Sequence, residues 1–179
     1  MTFDIDDIQD MEDRNIFEGV ILHEMGHVVG VGSLWGDCST CRSDSDTNWK
    51  CPSTVEVYND LLGDPEGTDA DIIELDGGVG TACGHFDEVI FDDELMTGFV
   101  DNVMYLSKVT AASLDDTGYT VDPSQVDPYT LPARRSVLSV RDGPERHLIE
   151  DIAIDTVIGV MDENGTIVGQ LDSFVMQFS

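Results

Sequence analysis

Residues 23–30 read His23-Glu24-Met25-Gly26-His27-Val28-Val29-Gly30, a pattern typical of a helix that binds a metal ion. On a helix, side chains four positions apart lie on one face about 6 Å from each other, so two imidazoles can reach one tetrahedral zinc ion. Glu24 follows the first histidine and can take the proton from a zinc-bound water, whose pKa the metal lowers to about 7. By chance alone, this combination occurs in roughly one chain of this length in a few hundred. The motif therefore predicts a metal site that activates water.

The residues around the motif have a helical pattern. Ile16, Val20, His23 and His27 follow one face over residues 16–29, which predicts a helix. Asn15 or Asp13 could cap its start, and Gly30 is placed to end it in the left-handed conformation. The apolar residues of this helix include Val20, Ile21, Leu22, Val28 and Val29. So apolar a helix is expected to be buried rather than to lie on the surface.

A catalytic zinc ion needs a third protein ligand. His-Glu-x-x-His-x-x-Gly opens the metzincin pattern, in which a further histidine usually comes three positions after the glycine. That position is Ser33 in this chain, which is a poor ligand, and two other histidines remain, His85 and His147. His85 is favoured because Met96 follows it in Glu94-Leu95-Met96-Thr97-Gly98, and a methionine in a tight turn is the other metzincin feature. His147 lies outside these motifs and is interpreted as structural.

Four separate motifs occur in the order typical of one peptidase family. They are His23-Glu-Met-Gly-His-Val-Val-Gly-Val-Gly-Ser-Leu-Trp35, His85-Phe-Asp-Glu88, Asp93-Glu-Leu-Met-Thr-Gly98 and Leu106-Ser-Lys-Val-Thr-Ala-Ala-Ser-Leu-Asp-Asp-Thr-Gly-Tyr119. With these motifs, the chain resembles the leishmanolysin family of metzincin peptidases over about residues 1–132. In that family the third histidine follows a long insertion.

The resemblance implies one catalytic zinc ion, held by His23, His27 and His85. It implies Glu24 as the general base and Met96 in the Met-turn. The implied reaction is hydrolysis of peptide bonds, in which Glu24 assists the attack of a zinc-bound water. The implied partners are protein or peptide substrates. A secreted protein of the extracellular space or cell surface follows from the same resemblance, with cell adhesion among its roles.

The predicted fold class is α+β, with the C-terminal half of a metzincin-like zinc protease domain and a β-rich appendage. Residues 1–121 are the predicted catalytic portion and 122–179 the C-terminal extension. The insertion, 31–84, reads as loop-rich, with one periodic piece around 55–62. A second helix is predicted over 108–117, after Ser107 and before Gly118. Strands are predicted over 152–161 and 166–178, joined by a tight turn at Asn164-Gly165.

All four cysteines, Cys38, Cys41, Cys51 and Cys83, lie in the insertion. Two disulfides are the favoured interpretation, since they would reduce the entropy cost of holding His85 near the helix. They would also indicate an oxidising, extracellular setting. A second zinc site at Cys38-x-x-Cys41 and reduced thiols in a cytosolic protein are the alternatives.

The composition is strongly acidic. Eight Lys and Arg stand against 37 Asp and Glu, for a formal charge of −29 over 179 residues. Such a charge repels phosphates and anionic lipid, so nucleic acid and membrane surfaces are not expected partners. The acidic residues alternate with apolar ones throughout, which is typical of proteins from extreme halophiles, where salt screens self-repulsion. A calcium loop at Asp64, Glu66, Asp69 and Asp71 is a weaker interpretation of the same acidity.

The N-terminal region leaves two function classes open. About fifteen residues precede the helix, with no signal peptide among them and no stretch of eighteen apolar residues elsewhere. A metzincin normally has a twisted sheet before this helix. The chain is therefore expected either to begin upstream of Met1 as a zinc metalloendopeptidase, or to be a truncated, non-catalytic zinc-binding surface or interaction module. The sequence gives no oligomeric state.

Overall fold

The computed structural model describes residues 5–42, 46–68, 71–78, 80–132, 158–161 and 167–171. Five helices and four strands occur in these residues. The helices are α1 (Ile5–Asp13), α2 (Phe17–Val29), α3 (Pro52–Leu62), α4 (Glu88–Phe91) and α5 (Lys108–Asp116). The strands are β1 (Ser39–Arg42), β2 (Asp46–Trp49), β3 (Ile158–Met161) and β4 (Ile167–Leu171), in two antiparallel two-stranded sheets. This mixture of helices and small sheets confirms the predicted α+β class.

Helix α2 matches the predicted helix but begins differently. Its N-cap is Ile16, with no side-chain hydrogen bond, so the predicted capping by Asn15 or Asp13 is wrong. Asn15 instead has φ 59° and separates α2 from α1. Gly30 ends the helix with φ 123°, and its N–H donates to the carbonyl oxygens of Gly26 and His27. This backbone conformation strongly favours glycine.

The sequence analysis does not predict α1. Five of its nine residues are acidic, and within it the structure describes one buried apolar side chain, Met11. Met11 packs with Ile16 and Val20 in a small hydrophobic cluster. The helix is therefore stabilised by contact with α2 rather than by a strong local pattern.

Only one face of α2 is buried. Val20, His23 and Glu24 are buried, whereas Leu22, Met25, Val28 and Val29 are 38–53% exposed. The expectation of a fully buried helix is therefore wrong for the opposite face. That face is an exposed apolar stripe in the part of the chain that the structure describes.

The main core lies between the insertion and the segment that carries His85. Trp35 and Trp49 pack edge to face with ring centroids 5.0 Å apart, and Phe86 lies 5.2 Å from Trp35. Phe91 continues the cluster at 5.3 Å from Phe86. All four rings are at most 2% exposed. Because Phe86 directly follows His85, this aromatic cluster fixes the position of the candidate ligand segment.

The insertion contains more regular structure than predicted. Helix α3 includes the periodic piece around 55–62 and begins earlier, at Pro52, where proline suits the first helical position. The carboxylate of Asp116 accepts hydrogen bonds from Trp49 Nε1 at 3.0 Å and from the Ser53 and Thr54 N–H groups at 2.9 Å each. These bonds join the start of α3 to the end of α5.

Two disulfides connect the insertion, which confirms the favoured interpretation. Cys38 pairs with Cys51 and Cys41 with Cys83, so no cysteine is free. A zinc site at Cys38-x-x-Cys41 is therefore excluded in this structure. The second disulfide connects strand β1 to the loop that precedes His85.

Helix α5 agrees with the prediction to within one residue. The Ser107 side chain accepts hydrogen bonds from Val109 N–H and Thr110 N–H, as an N-cap does. After this helix, Tyr129 and Leu131 pack against the main core. The assignment of 122–179 to a separate extension stays a prediction.

Strands β3 and β4 pair with Ile158 opposite Leu171, and both lie inside the predicted strand ranges. The turn at Asn164-Gly165, His147 and the remainder of both predicted strands lie outside the described residues.

Candidate metal centre

Three imidazoles converge at one point. The Nε2 atom of His27 lies 2.9 Å from Nε2 of His23 and 3.0 Å from Nε2 of His85, and the remaining pair is 3.3 Å apart. His23 is 1% exposed and His85 6% exposed. Helix α2 places two of these rings by the spacing of four, and the segment after the insertion brings the third from 58 residues away. The structure thus brings together all three histidines that the sequence analysis selects as ligands.

Backbone carbonyl oxygens hold the other nitrogen of each ring. Nδ1 of His23 donates to the Leu95 oxygen at 2.7 Å, that of His27 to the Val31 oxygen at 2.9 Å, and that of His85 to the Thr81 oxygen at 2.8 Å. A carbonyl oxygen only accepts, so Nδ1 is inferred to carry the proton in each neutral ring. The three Nε2 atoms then each present a lone pair to the same point.

This arrangement of lone pairs fits a metal ion. Three acceptors within 3.3 Å of one another cannot hydrogen-bond together, and a cation between them would relieve their repulsion. A tetrahedral zinc ion with Zn–N bonds of 2.0–2.1 Å separates its ligand nitrogens by about 3.3 Å. The donor type fits zinc, and the Nε2 separations of 2.9, 3.0 and 3.3 Å are close to that value. The carbonyl oxygens accept from the other ring nitrogens and so orient the rings, as is usual for metal-binding histidines.

Burial keeps the three rings neutral. It lowers the pKa of His23 well below 6.5, and the neighbouring His27 and His85 lower it further. Burial also lowers the pKa of His27, and burial together with His27 lowers that of His85 to about 3. Neutral imidazole is the form that binds a metal ion.

A turn lies directly beneath the histidines. Its Met96 side chain is fully buried, and its Sδ atom would lie 2.5 Å from a Cβ atom added at Gly26. Gly26 lies between the two histidines of α2, so only a residue without a side chain permits this close approach. The predicted Met-turn residue is thus in contact with the helix that carries the motif.

Glu24 is 2% exposed, beside His23 on α2. Its Oε2 atom has no hydrogen-bond partner among the described residues. Burial raises the pKa of this carboxyl group to about 7. This buried carboxylate oxygen retains an unused capacity to accept a hydrogen bond.

The sequence analysis missed the residues that accept hydrogen bonds from the Nδ1 atoms of the histidines. The Leu95, Val31 and Thr81 contacts are made by backbone oxygens, which no side-chain pattern reveals. It also missed Glu94, a buried carboxylate that connects the Met96 turn to α5. The sequence signal for Glu94 is its position in the Glu94-Leu95-Met96 motif, and this position does not indicate what the Glu94 side chain does.

A second group of possible ligand atoms occurs at Glu88, Asp92 and Asp101, which all lie within 4.8 Å of one another. The sequence analysis did not select it. In the described part of the chain, Asp64, Glu66 and Asp71 form no such group, and Asp69 lies outside it.

The chain matches a known protein family. The sequence profile of the leishmanolysin family, peptidase M8, matches residues 1–130, which include all three histidines and the turn below them. No curated protein and no solved structure matches the chain. Among the described helices, none is long and apolar enough to cross a membrane. The matched region covers well over half of the chain, which therefore belongs to the leishmanolysin family of metallopeptidases.

Proposed function

We propose that this protein is a zinc-dependent metalloendopeptidase, with His23, His27 and His85 as the ligands of one zinc ion and Glu24 as the general base. The observation that carries the proposal is the convergence of three Nε2 lone pairs within 3.3 Å. The family supports a peptidase, and with it protein or peptide substrates. The two disulfides support an oxidising setting, so we propose an extracellular or cell-surface location.

Different residues of the chain would bind the metal ion and transfer the proton. Zinc, when bound, would supply a Lewis acid that polarises a peptide carbonyl and makes water more acidic. The carbonyls of Leu95, Val31 and Thr81 would keep the rings oriented. Glu24, through Oε2, would accept the proton of the attacking water and pass it to the amine nitrogen of the leaving peptide.

The second candidate function is a zinc-binding interaction module without turnover. The exposed apolar stripe on α2 favours it, since Leu22, Met25, Val28 and Val29 are 38–53% exposed on the helix that carries the motif. Exposed apolar side chains on one face of a helix can form a contact surface for another polypeptide. Both functions use the same three histidines, and turnover distinguishes them.

Glu24→Gln tests the catalytic role. The parent protein is expected to cut casein or gelatin in molar salt, and a chelator should stop the reaction. Glu24→Gln should reduce the rate by a factor of at least about 100, because it removes the general base, while the zinc content stays at one ion per chain. Glu18→Gln is the matched control, since Glu18 is exposed on the same helix, and it should cut at the parent rate.

The outcomes separate the two functions. A parent protein that holds one zinc ion but cuts no protein substrate would favour the interaction module. A Glu24→Gln variant as active as the parent would remove Glu24 from the mechanism.

A further inference from the structure

Glu94 is a buried carboxylate in an unusual position. Its side chain is 1% exposed, and burying such a group is costly unless hydrogen bonds satisfy it. It accepts four of them. Oε2 accepts from Met96 N–H at 2.6 Å, and Oε1 accepts from Ser107 N–H at 3.2 Å, Ser107 Oγ at 2.7 Å and Thr110 Oγ1 at 2.6 Å. The carboxylate thus bridges two parts of the chain.

The first part is the N-terminus of α5. Ser107 caps this helix and Thr110 lies in its first turn, where the helix dipole favours a negative charge. Ser107 and Thr110 are at most 2% exposed, and Val109 between them is fully buried. The helix end is therefore a rigid anchor for the carboxylate.

The second part is the turn at Glu94-Leu95-Met96, which contacts both segments that carry the histidines. The Leu95 oxygen accepts the hydrogen bond from His23 Nδ1 at 2.7 Å. The Met96 oxygen accepts from Phe86 N–H at 3.0 Å, directly after His85. The Met96 side chain packs against Gly26, between the two histidines of α2. A shift of this turn would therefore disturb the His23 ring directly and both histidine segments through packing.

We infer that Glu94 is a positioning residue for the three-histidine site. It holds the turn against the start of α5, and the turn orients His23 and packs against both segments that carry the imidazoles. The inference rests on the proposed zinc-dependent function, although it concerns metal binding and not turnover. Replacing a residue that orients a metal ligand commonly lowers the metal affinity by about 10- to 100-fold.

Glu94→Gln tests this role with little change in shape. One acceptor oxygen becomes an NH2 donor that faces either Met96 N–H or the donors of α5, so at least one bond of the bridge is lost. We expect the zinc affinity, measured by competition with a chromophoric chelator, to fall by at least about tenfold. We also expect the visible absorption spectrum of the cobalt-substituted protein to change, because that spectrum reports ligand geometry.

Asp116→Asn is the matched control for a purely structural effect. Asp116 also accepts several hydrogen bonds that join two elements, and none of them involves the histidines. It should lose stability but keep the parent zinc affinity and cobalt spectrum. Thr110→Val serves if Glu94→Gln fails to fold, since it removes a single 2.6 Å bond to Glu94, and it should lower the zinc affinity severalfold.

The outcomes also separate this inference from the proposed function. Parent-like affinity and spectrum in Glu94→Gln, or in Thr110→Val if only that variant folds, would overturn the role of Glu94. Equal losses of affinity in Asp116→Asn would do the same. A parent that binds zinc and cuts nothing would overturn the proposed function alone, and a parent that binds no zinc would overturn both.

Discussion

Removal of the Cys41–Cys83 disulfide tests whether the insertion holds His85 in place. The two cysteines are 42 residues apart, and loop-closure entropy for that length corresponds to about 4 kcal/mol of stability. Cys83 lies two residues before His85, whose ring donates to the Thr81 oxygen at 2.8 Å. We therefore expect the loss to reach the candidate metal centre as well as the free energy of unfolding.

The variant is Cys41→Ser with Cys83→Ser. Urea unfolding in molar salt, followed by the fluorescence of the buried Trp35 and Trp49, should give a free energy of unfolding lower by about 4 kcal/mol. Zinc affinity, measured by chelator competition where the variant is still folded, should fall at least about tenfold, because the third ring is no longer held.

The other disulfide provides the control. Cys38 and Cys51 are 13 residues apart, and their removal should cost about 3 kcal/mol. The hydrogen bonds described for Cys38 go to Trp35, Lys50 and Asp116 and not to the histidines, so the zinc affinity should stay at the parent value. Parent-like affinity after loss of Cys41–Cys83, or an equal fall in both variants, would show that this disulfide does not hold His85 in place.

Three further predictions follow from packing and charge. Burial and the charge of Glu74 raise the pKa of Asp87 from 3.8 to about 6, so its ionised form destabilises the fold above about pH 6, and this cost disappears as the pH falls towards 4. Asp87→Asn should therefore raise the free energy of unfolding at pH 8 by on the order of 2 kcal/mol and change it little near pH 4; an equal effect at both pH values would contradict this. Gly32→Ala should destabilise the protein and weaken zinc binding, since its Cβ would lie 2.1 Å from the Gly84 oxygen beside His85. The control is Gly36→Ala, whose Cβ meets nothing within 4 Å and which should lower the free energy of unfolding by only about 1–2 kcal/mol. Equal losses of stability in the two variants, measured by urea unfolding, would argue against the contact at Gly32. With a net charge of −29, the thermal midpoint should rise between 0.1 and 2 M KCl as self-repulsion is screened, at roughly 3 Å Debye length in 1 M salt; a flat midpoint would contradict it.

The local part of the site could be predicted because its geometry depends on a short stretch of chain. A spacing of four on a helix brings His23 and His27 to one face whatever the remainder of the protein does. The start of α5 is similar, since the Ser107 side chain reaches N–H groups only two and three residues away. His85 could be selected from the order of the motifs alone.

The tertiary structure decided everything that depends on contacts between distant segments. Four cysteines allow three pairings, and the fold of the insertion selected Cys38–Cys51 and Cys41–Cys83. The predicted capping of α2 was wrong because Asn15 has a left-handed backbone conformation and connects α2 to α1. Helix α1 is stabilised by packing against Val20. These outcomes depend on contacts between segments that are distant in the sequence, and such contacts have no fixed spacing that a sequence pattern could show.

The residue pattern alone thus identified the groups of the candidate metal centre, namely two imidazoles and a carboxylate on one helix with a third imidazole further along the chain. The three-dimensional fold determines how each ring is held. Its carbonyl partners come from Leu95, Val31 and Thr81, and every residue but proline has the same backbone N–H and C=O groups. Such partners depend on where the backbone runs, and packing of the aromatic core and the disulfides determines that path.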